Sequence, residues 1–122
     1  MSDPLRSKKV LIVDDNPLLA HHLCDVVQDW GAVAIGPAMD LSSGLELMRT
    51  QSVDCALLDI ELGGSDVYPL AEQLSERDVP FAFLTAKGPA VDLPAKFRNR
   101  NCIQKPETGL RIIEVVVSIL TP

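Results

Sequence analysis

Two apolar periods alternate along the chain. Val10 to Val13 is an unbroken branched apolar run with no polar alternation, the mark of a strand buried on both faces, as in a parallel sheet. Leu19, Leu23, Val26, Val27 and Trp30 then recur at helical spacing; Pro17 stands where a helix opens after Asp15 or Asn16, and Gly31 supplies its stop. The same alternation continues to the end of the sequence. Ala32 to Ile35 reads as a second strand, and Asp40 caps a helix through Leu45, Leu47 and Met48 to about Thr50. Val53 to Leu58 is a third strand, and the flexible Gly63-Gly64 turn precedes a helix through Val67, Leu70, Ala71 and Leu74. Pro80 opens a fourth strand ending near Leu84, Cys102 to Gln104 forms a brief fifth, and a last helix runs from about Thr108 to Leu120. Between strands four and five, Gly88, Pro89 and Pro94 leave room only for a helix that is short or displaced toward Ala95 to Arg100.

Five strands each followed by a helical segment predict an α/β fold: a doubly wound five-stranded parallel sheet flanked by helices, with the fourth helix short or irregular. Neither a repeat nor a linker interrupts the pattern, so residues 1–122 are expected to form one domain. In open sheets of this kind, ligands bind beyond the carboxyl ends of the strands. At that edge the sequence places Asp14 and Asp15 after strand one, Asp59 after strand three, Thr85 after strand four, and Lys105 followed by Pro106 after strand five. Each alone reads as a helix cap or loop residue; together they predict one pocket.

Composition narrows what that pocket serves. A formal charge of −6 argues against a nucleic-acid binder, which needs clustered Lys and Arg; the one basic cluster, Lys96 to Arg100, reads as solvated surface. Cys24, Cys55 and Cys102 are odd in number and lack metal-ligand spacing, so they read as reduced, mostly buried thiols of a cytoplasmic protein. No signal peptide stands out, and no apolar run approaches bilayer length. His21 and His22 on the first helix, and Trp30 near its end, read as surface, boundary or packing residues without a catalytic role. The final helix, with Val115, Val116, Val117, Ile119 and Leu120, carries more apolar surface than one sheet face needs; it extends the core or forms part of a dimer or partner interface.

Three carboxylates in one cleft repel one another and need a cation to coexist ionised. Mg²⁺ suits them, because it takes hard oxygen ligands and is usually held by one or two carboxylates plus a phosphate. A hydroxyl at Thr85 and an ammonium at Lys105 suit phosphoryl oxygens, leaving one carboxylate to attack phosphorus.

At these residues the sequence resembles the receiver domains of two-component response regulators. "VLIVDDNP", "ALLDIELGG", "FLTA" and "QKP" carry the resemblance, in order and on the expected strands, over almost the whole chain. It implies a flavodoxin-like receiver fold in which Asp59 accepts a phosphoryl group from a histidine kinase or a histidine phosphotransfer protein. It implies that Asp15 and Asp59 bind Mg²⁺ directly, Asp14 largely through water, and Glu61 through its backbone carbonyl. Thr85 and Lys105 would contact the phosphoryl oxygens, and the peptide before Pro106 would be cis. The implied protein is a signalling receiver rather than an enzyme: it promotes its own phosphorylation and dephosphorylation, and its output is contact with a further protein. The stretch Val79 to Thr85 is also similar to single-domain receivers of the FAT GUY group, although Ala86-Lys87 replaces that group's Gly-containing signature.

One departure matters for switching. Most receivers carry Tyr or Phe three residues before the lysine; here that position is Cys102, so the usual aromatic switch is absent. Glu61 and Lys87 occupy positions that in receivers flank the path of hydrolytic water, and their opposite charges predict a pair across the mouth of the site. Rival readings fare less well. Asp14-Asp15-Asn16-Pro17 would repel the phosphate of a flavodoxin-like cofactor, and a phosphohydrolase would need a base that the sequence does not offer. A pseudo-receiver that binds partners without phosphorylation is the more serious rival, disfavoured because no pocket residue is lost.

Overall fold

A computed structural model describes residues 4–86, 93–105 and 107–121. Strand β1 (Lys9–Val13) leads into α1 (Pro17–Asp29), β2 (Val33–Ala38), α2 (Leu41–Thr50) and β3 (Cys55–Asp59). A short hairpin, β4 (Glu61–Leu62) and β5 (Ser65–Asp66), precedes α3 (Tyr68–Glu76) and β6 (Phe81–Thr85). A single 3₁₀ turn (Ala95–Phe97), β7 (Cys102–Gln104) and α4 (Gly109–Leu120) complete the order. The main sheet runs β2-β1-β3-β6-β7, all parallel. The expected doubly wound sheet is therefore what forms, with the reversal of winding between β1 and β3.

The unbroken apolar runs are explained by two cores, one on each face. Val10, Ile12, Cys55, Leu57, Ala82, Leu84 and Ile103 pack toward α1 and α4. Their strand neighbours Leu11, Val13, Ala56, Leu58, Phe81 and Phe83 pack the other way, toward α2 and α3. With both faces covered there is no solvent side, so the strand sequences show no alternation of polarity. The apolar surplus of α4 goes largely into the first core: Val115 and Val116 are buried, and Val117, Ile119 and Leu120 pack against it partly buried. Of the exposed large apolar side chains, Leu110 alone lies on this helix.

Helix ends follow local chemistry. Asn16, rather than Asp15, caps α1, its side chain accepting from the amides of Leu18 and Leu19, and Asp40 caps α2 through the amide of Ser43. Asp14 is thus left out of capping and faces the sheet edge.

The structure refines several sequence expectations. β2 extends to Ala38, through Gly36 and Pro37, joined by a cis peptide. Pro37 is tolerated because β2 is an edge strand that needs no ladder donor on its outer side. β3 begins at Cys55, and Asp54 before it brackets Lys9, its amide donating to the Lys9 carbonyl and its carboxylate accepting from the Lys9 amide, each at 2.8 Å. The Gly63-Gly64 turn closes the β4–β5 hairpin, both glycines having positive φ. Cys24 and Cys55 are buried as expected, but Cys102 is exposed because it points away from the α1–α4 core that receives its neighbour Ile103. Burial pushes the Cys55 thiol up to about 12, so it packs as a small apolar group. The fourth helix is short and displaced as expected, a 3₁₀ turn at Ala95–Phe97. The expectations for Lys87, Pro89 and the peptide before Pro106 lie outside the described residues.

Gly36 is the backbone position that admits no side chain. At φ +105° a Cβ would lie 2.7 Å from the Ala38 nitrogen and 3.0 Å from the Ile12 carbonyl oxygen, both backbone atoms that cannot yield. Gly36→Ala is expected to lower folding stability by about 1–3 kcal/mol, the usual cost of a strained backbone position, measured as a fall in urea midpoint without a change in slope.

Candidate functional site

Side-chain alternation places the charged groups. The pattern puts Asp59, which ends β3, and Asp14 and Lys105, one step past β1 and β7, on the α1–α4 side, and Thr85, which ends β6, on the opposite side, in line with Phe81 and Phe83. Lys105 accordingly lies between the two carboxylates, its Nζ 3.3 Å from Asp14 Oδ2 and 3.2 Å from Asp59 Oδ2. Asp14 is fully buried and Asp59 only 4% exposed, so their partners are fixed rather than solvated. Backbone amides add to these contacts. The Asn16 amide donates to Asp14 Oδ1 at 3.0 Å, and the Gly63 amide donates to Asp15 Oδ2 at 2.9 Å. The Lys105 amide donates to the Thr85 carbonyl at 2.7 Å, which ties the end of β7 to the end of β6.

Asp15, Asp59, Glu61, Thr85 and Lys105, singled out from the sequence, meet here. A cleft of about 310 Å³ is lined by Asp15, Asp59, Ile60, Glu61, Gly63, Gly64, Thr85, Ala86 and Lys105. Asp14 lies behind it, and carboxylate oxygens of Asp14, Asp15 and Asp59 all lie within 4.8 Å of one another. His22 lines a separate small hollow of about 100 Å³ behind Lys105, and His21 is on the surface. The part of the cleft not legible in the sequence is the β4–β5 hairpin, which brings the Gly63 amide to Asp15. Two adjacent glycines after Asp59 were its only signal, and they do not specify a strand pair.

The electrostatics follow from burial. Asp59 is pushed up to about 7, first by desolvation and then by Asp14 beside it, against the opposing pull of Lys105. Desolvation acts to lower Lys105, but the two carboxylates outweigh it and hold the ammonium above its ordinary range. Among the described residues, three carboxylates against one close ammonium leave an excess of negative charge that a divalent cation would balance. Oxygen donors of this hardness, open to the cleft through exposed Asp15, fit Mg²⁺.

Comparison with known proteins agrees with this geometry. The family model described as "Response regulator receiver domain" matches residues 10–117. The solution structure of SdrG from Sphingomonas melonis Fr1 is similar with a TM-score of 0.82 and 32% identity, covering 99% of this chain and 100% of that one. The regulatory protein VanRc of Enterococcus gallinarum is 30% identical over 70% of this chain and 37% of its own length. A protein-glutamate methylesterase/protein-glutamine glutaminase of Anaeromyxobacter dehalogenans is 32% identical over 87% of this chain and 31% of its own. The chain thus spans about a third of the length of these two curated relatives. Among the described residues no helix is long and apolar enough to cross a membrane.

The raised Asp59 sets a pH dependence for the metal-free protein. An unfolded Asp titrates near 4, whereas folded Asp59 holds its proton to about 7. Its ionisation therefore costs native stability, nothing below about pH 4, progressively more as pH rises to 7, and fully above. Asp59→Asn is expected to melt several degrees higher than the wild type at pH 8 in chelator, the gain shrinking toward pH 4, as followed by thermal circular dichroism.

Proposed function

The chain belongs to the response regulator receiver domain family, and on that premise we propose that it accepts a phosphoryl group on Asp59 from a histidine kinase or a histidine phosphotransfer protein and signals through protein–protein contact. The observation that carries this reading is the completeness of the cleft: a recessed carboxylate, two further carboxylates beside it, a hydroxyl residue and an ammonium on one edge of the sheet. Asp14, Asp15 and Asp59, with the backbone carbonyl of Glu61, would hold Mg²⁺. Bound there, the ion supplies charge neutralisation for the transferring phosphoryl group.

The residues of the chain do the rest. One Asp59 oxygen attacks phosphorus, a P–O bond forms as the donor's P–N bond breaks, and the imidazole departs with the electron pair of that bond. No base is needed to deprotonate the ionised carboxylate, so catalysis reduces to positioning and charge. Lys105, already within 3.2 Å of Asp59, is placed to pair with a phosphoryl oxygen, and Thr85 to donate to another. A pseudo-receiver would be expected to have lost a pocket residue, and the cleft retains each one.

Mass measurement after incubation with a small phosphodonor tests the assignment. The wild type is expected to gain one phosphoryl group in the presence of Mg²⁺ and none with chelator, while Asp59→Asn gains none in either. An equal gain by the variant would place the acceptor elsewhere.

Lys105→Ala leaves three carboxylates without their ammonium. Its Mg²⁺ affinity is expected to be kept or increased, since a competing cation is removed, while its phosphorylation rate falls by roughly 100-fold or more, the scale of losing one preorganised charge-stabilising group. Fluorescence or calorimetric titration with Mg²⁺ and a donor time course separate the two effects.

A further inference from the structure

The position where other receivers carry a switch ring is Cys102, yet the space around it is rich in rings. Cys102 pairs across β6–β7 with Phe83, which lies two residues before Thr85 on the same face of the sheet. Phe83 meets Phe81 at 5.3 Å, Phe97 at 5.7 Å and Tyr68 at 6.0 Å between ring centroids. Tyr68 stacks on Phe97 at 6.0 Å with an interplanar angle of 23°, and Phe97 is 2% exposed. Phe97 comes from the 3₁₀ turn that stands where a fourth helix was expected.

Two walls of the cleft lead to this ring. Thr85 continues the strand face that carries Phe83. On the other side, the hairpin whose Gly63 amide holds Asp15 ends at Asp66, whose carboxylate accepts from the Tyr68 amide at 3.2 Å. A shift of either wall reaches Phe97 through a directly contacting ring.

The segment around Phe97 is anchored to the body largely by side chains. Lys96 pairs with Glu72 and lies 5.5 Å over the Phe97 ring. Arg100 donates to Ser75 Oγ and sits 4.3 Å over the Phe81 ring, while Arg98 donates to the Leu93 carbonyl within the segment itself. Three backbone bonds, from Phe97 to Pro94, Arg98 to Ala95 and Arg100 to Phe97, are its own. Such a segment can be repositioned as a unit when its buried ring moves, without unwinding a helix.

We propose that Phe97 is the residue that reads the cleft: a phosphoryl group drawn toward Thr85 changes the Phe83–Tyr68–Phe97 stack, and the stack repositions the basic surface of residues 95–100. This replaces a rotating ring on β7 with a packed ring delivered from the 3₁₀ turn. The proposal deepens, and rests on, the reading of Asp59 as phosphoacceptor.

The test uses Mg²⁺ with beryllofluoride as phosphoryl mimic and follows backbone amide shifts, together with the ring signals of Tyr68, the single tyrosine of the chain. In the wild type, Asp59, Thr85, residues 95–100 and the Tyr68 ring are expected to shift together, and Tyr68→Phe, which keeps the ring, is expected to preserve the shifts at 95–100. In Phe97→Leu and Tyr68→Leu, Asp59 and Thr85 are expected to shift as before, while the shifts at 95–100 collapse to those of residues remote from the cleft, such as Asp29 to Ala32. Full shifts at 95–100 in a folded leucine variant overturn the relay, as does a wild type in which the cleft responds and Tyr68 and residues 95–100 do not. A wild type with no response at Asp59 or Thr85 overturns the phosphoacceptor reading itself. Should Phe97→Leu fail to give a dispersed spectrum, Tyr68→Leu, at a half-buried position, decides the question alone.

Discussion

Burying like charges at the end of an apolar sheet is the constraint around which this molecule is built. Asp14 and Asp59 lie within reach of one ammonium, that of Lys105, and neither carboxylate has much access to water. An unpaired buried charge costs far more than a surface pair contributes, so Lys105 has to be where it is. Its place is fixed by strand parity and by the bond from its amide to the Thr85 carbonyl. The rigidity of the two-faced core below is what keeps these ends in register.

Even so, the charges of the described residues are not balanced. A protein selected only for stability would replace one carboxylate with an amide or an apolar group. Burial first, and Asp14 beside it, raise the proton affinity of Asp59 to near neutrality. The hairpin after β3 adds to this by fixing Asp15 through a backbone amide, so that the exposed carboxylate is aimed at the cleft rather than at solvent.

The aromatic residues are concentrated on one face of the sheet. Cys102 supplies no ring, but Phe81, Phe83, Phe97 and Tyr68 form a continuous cluster on the face that carries Thr85. Of the five aromatic residues in the chain only Trp30 lies outside it, so nearly all the aromatic content is spent between the cleft and the 95–100 surface.

Strand identities, the doubly wound class and the convergence of Asp14, Asp15, Asp59, Thr85 and Lys105 were legible in the sequence because they rest on local signals: branched apolar runs, helix caps, and polar residues placed where such runs end. Side-chain period is a property of the backbone, so a residue's edge and face follow from its position in a run. Tertiary structure alone decided the features that depend on what lies opposite in space. The continuation of β2 through Pro37 required knowing that it is an edge strand. The exposure of Cys102 required knowing which face its strand turns to the core. The β4–β5 hairpin arises from pairing two segments too short to declare themselves, and the aromatic cluster joins residues from α3, β6 and the 3₁₀ turn that no periodicity connects. Local chemistry sets where each element begins and which way its side chains point; which of them then touch is settled only when both faces of the sheet are packed.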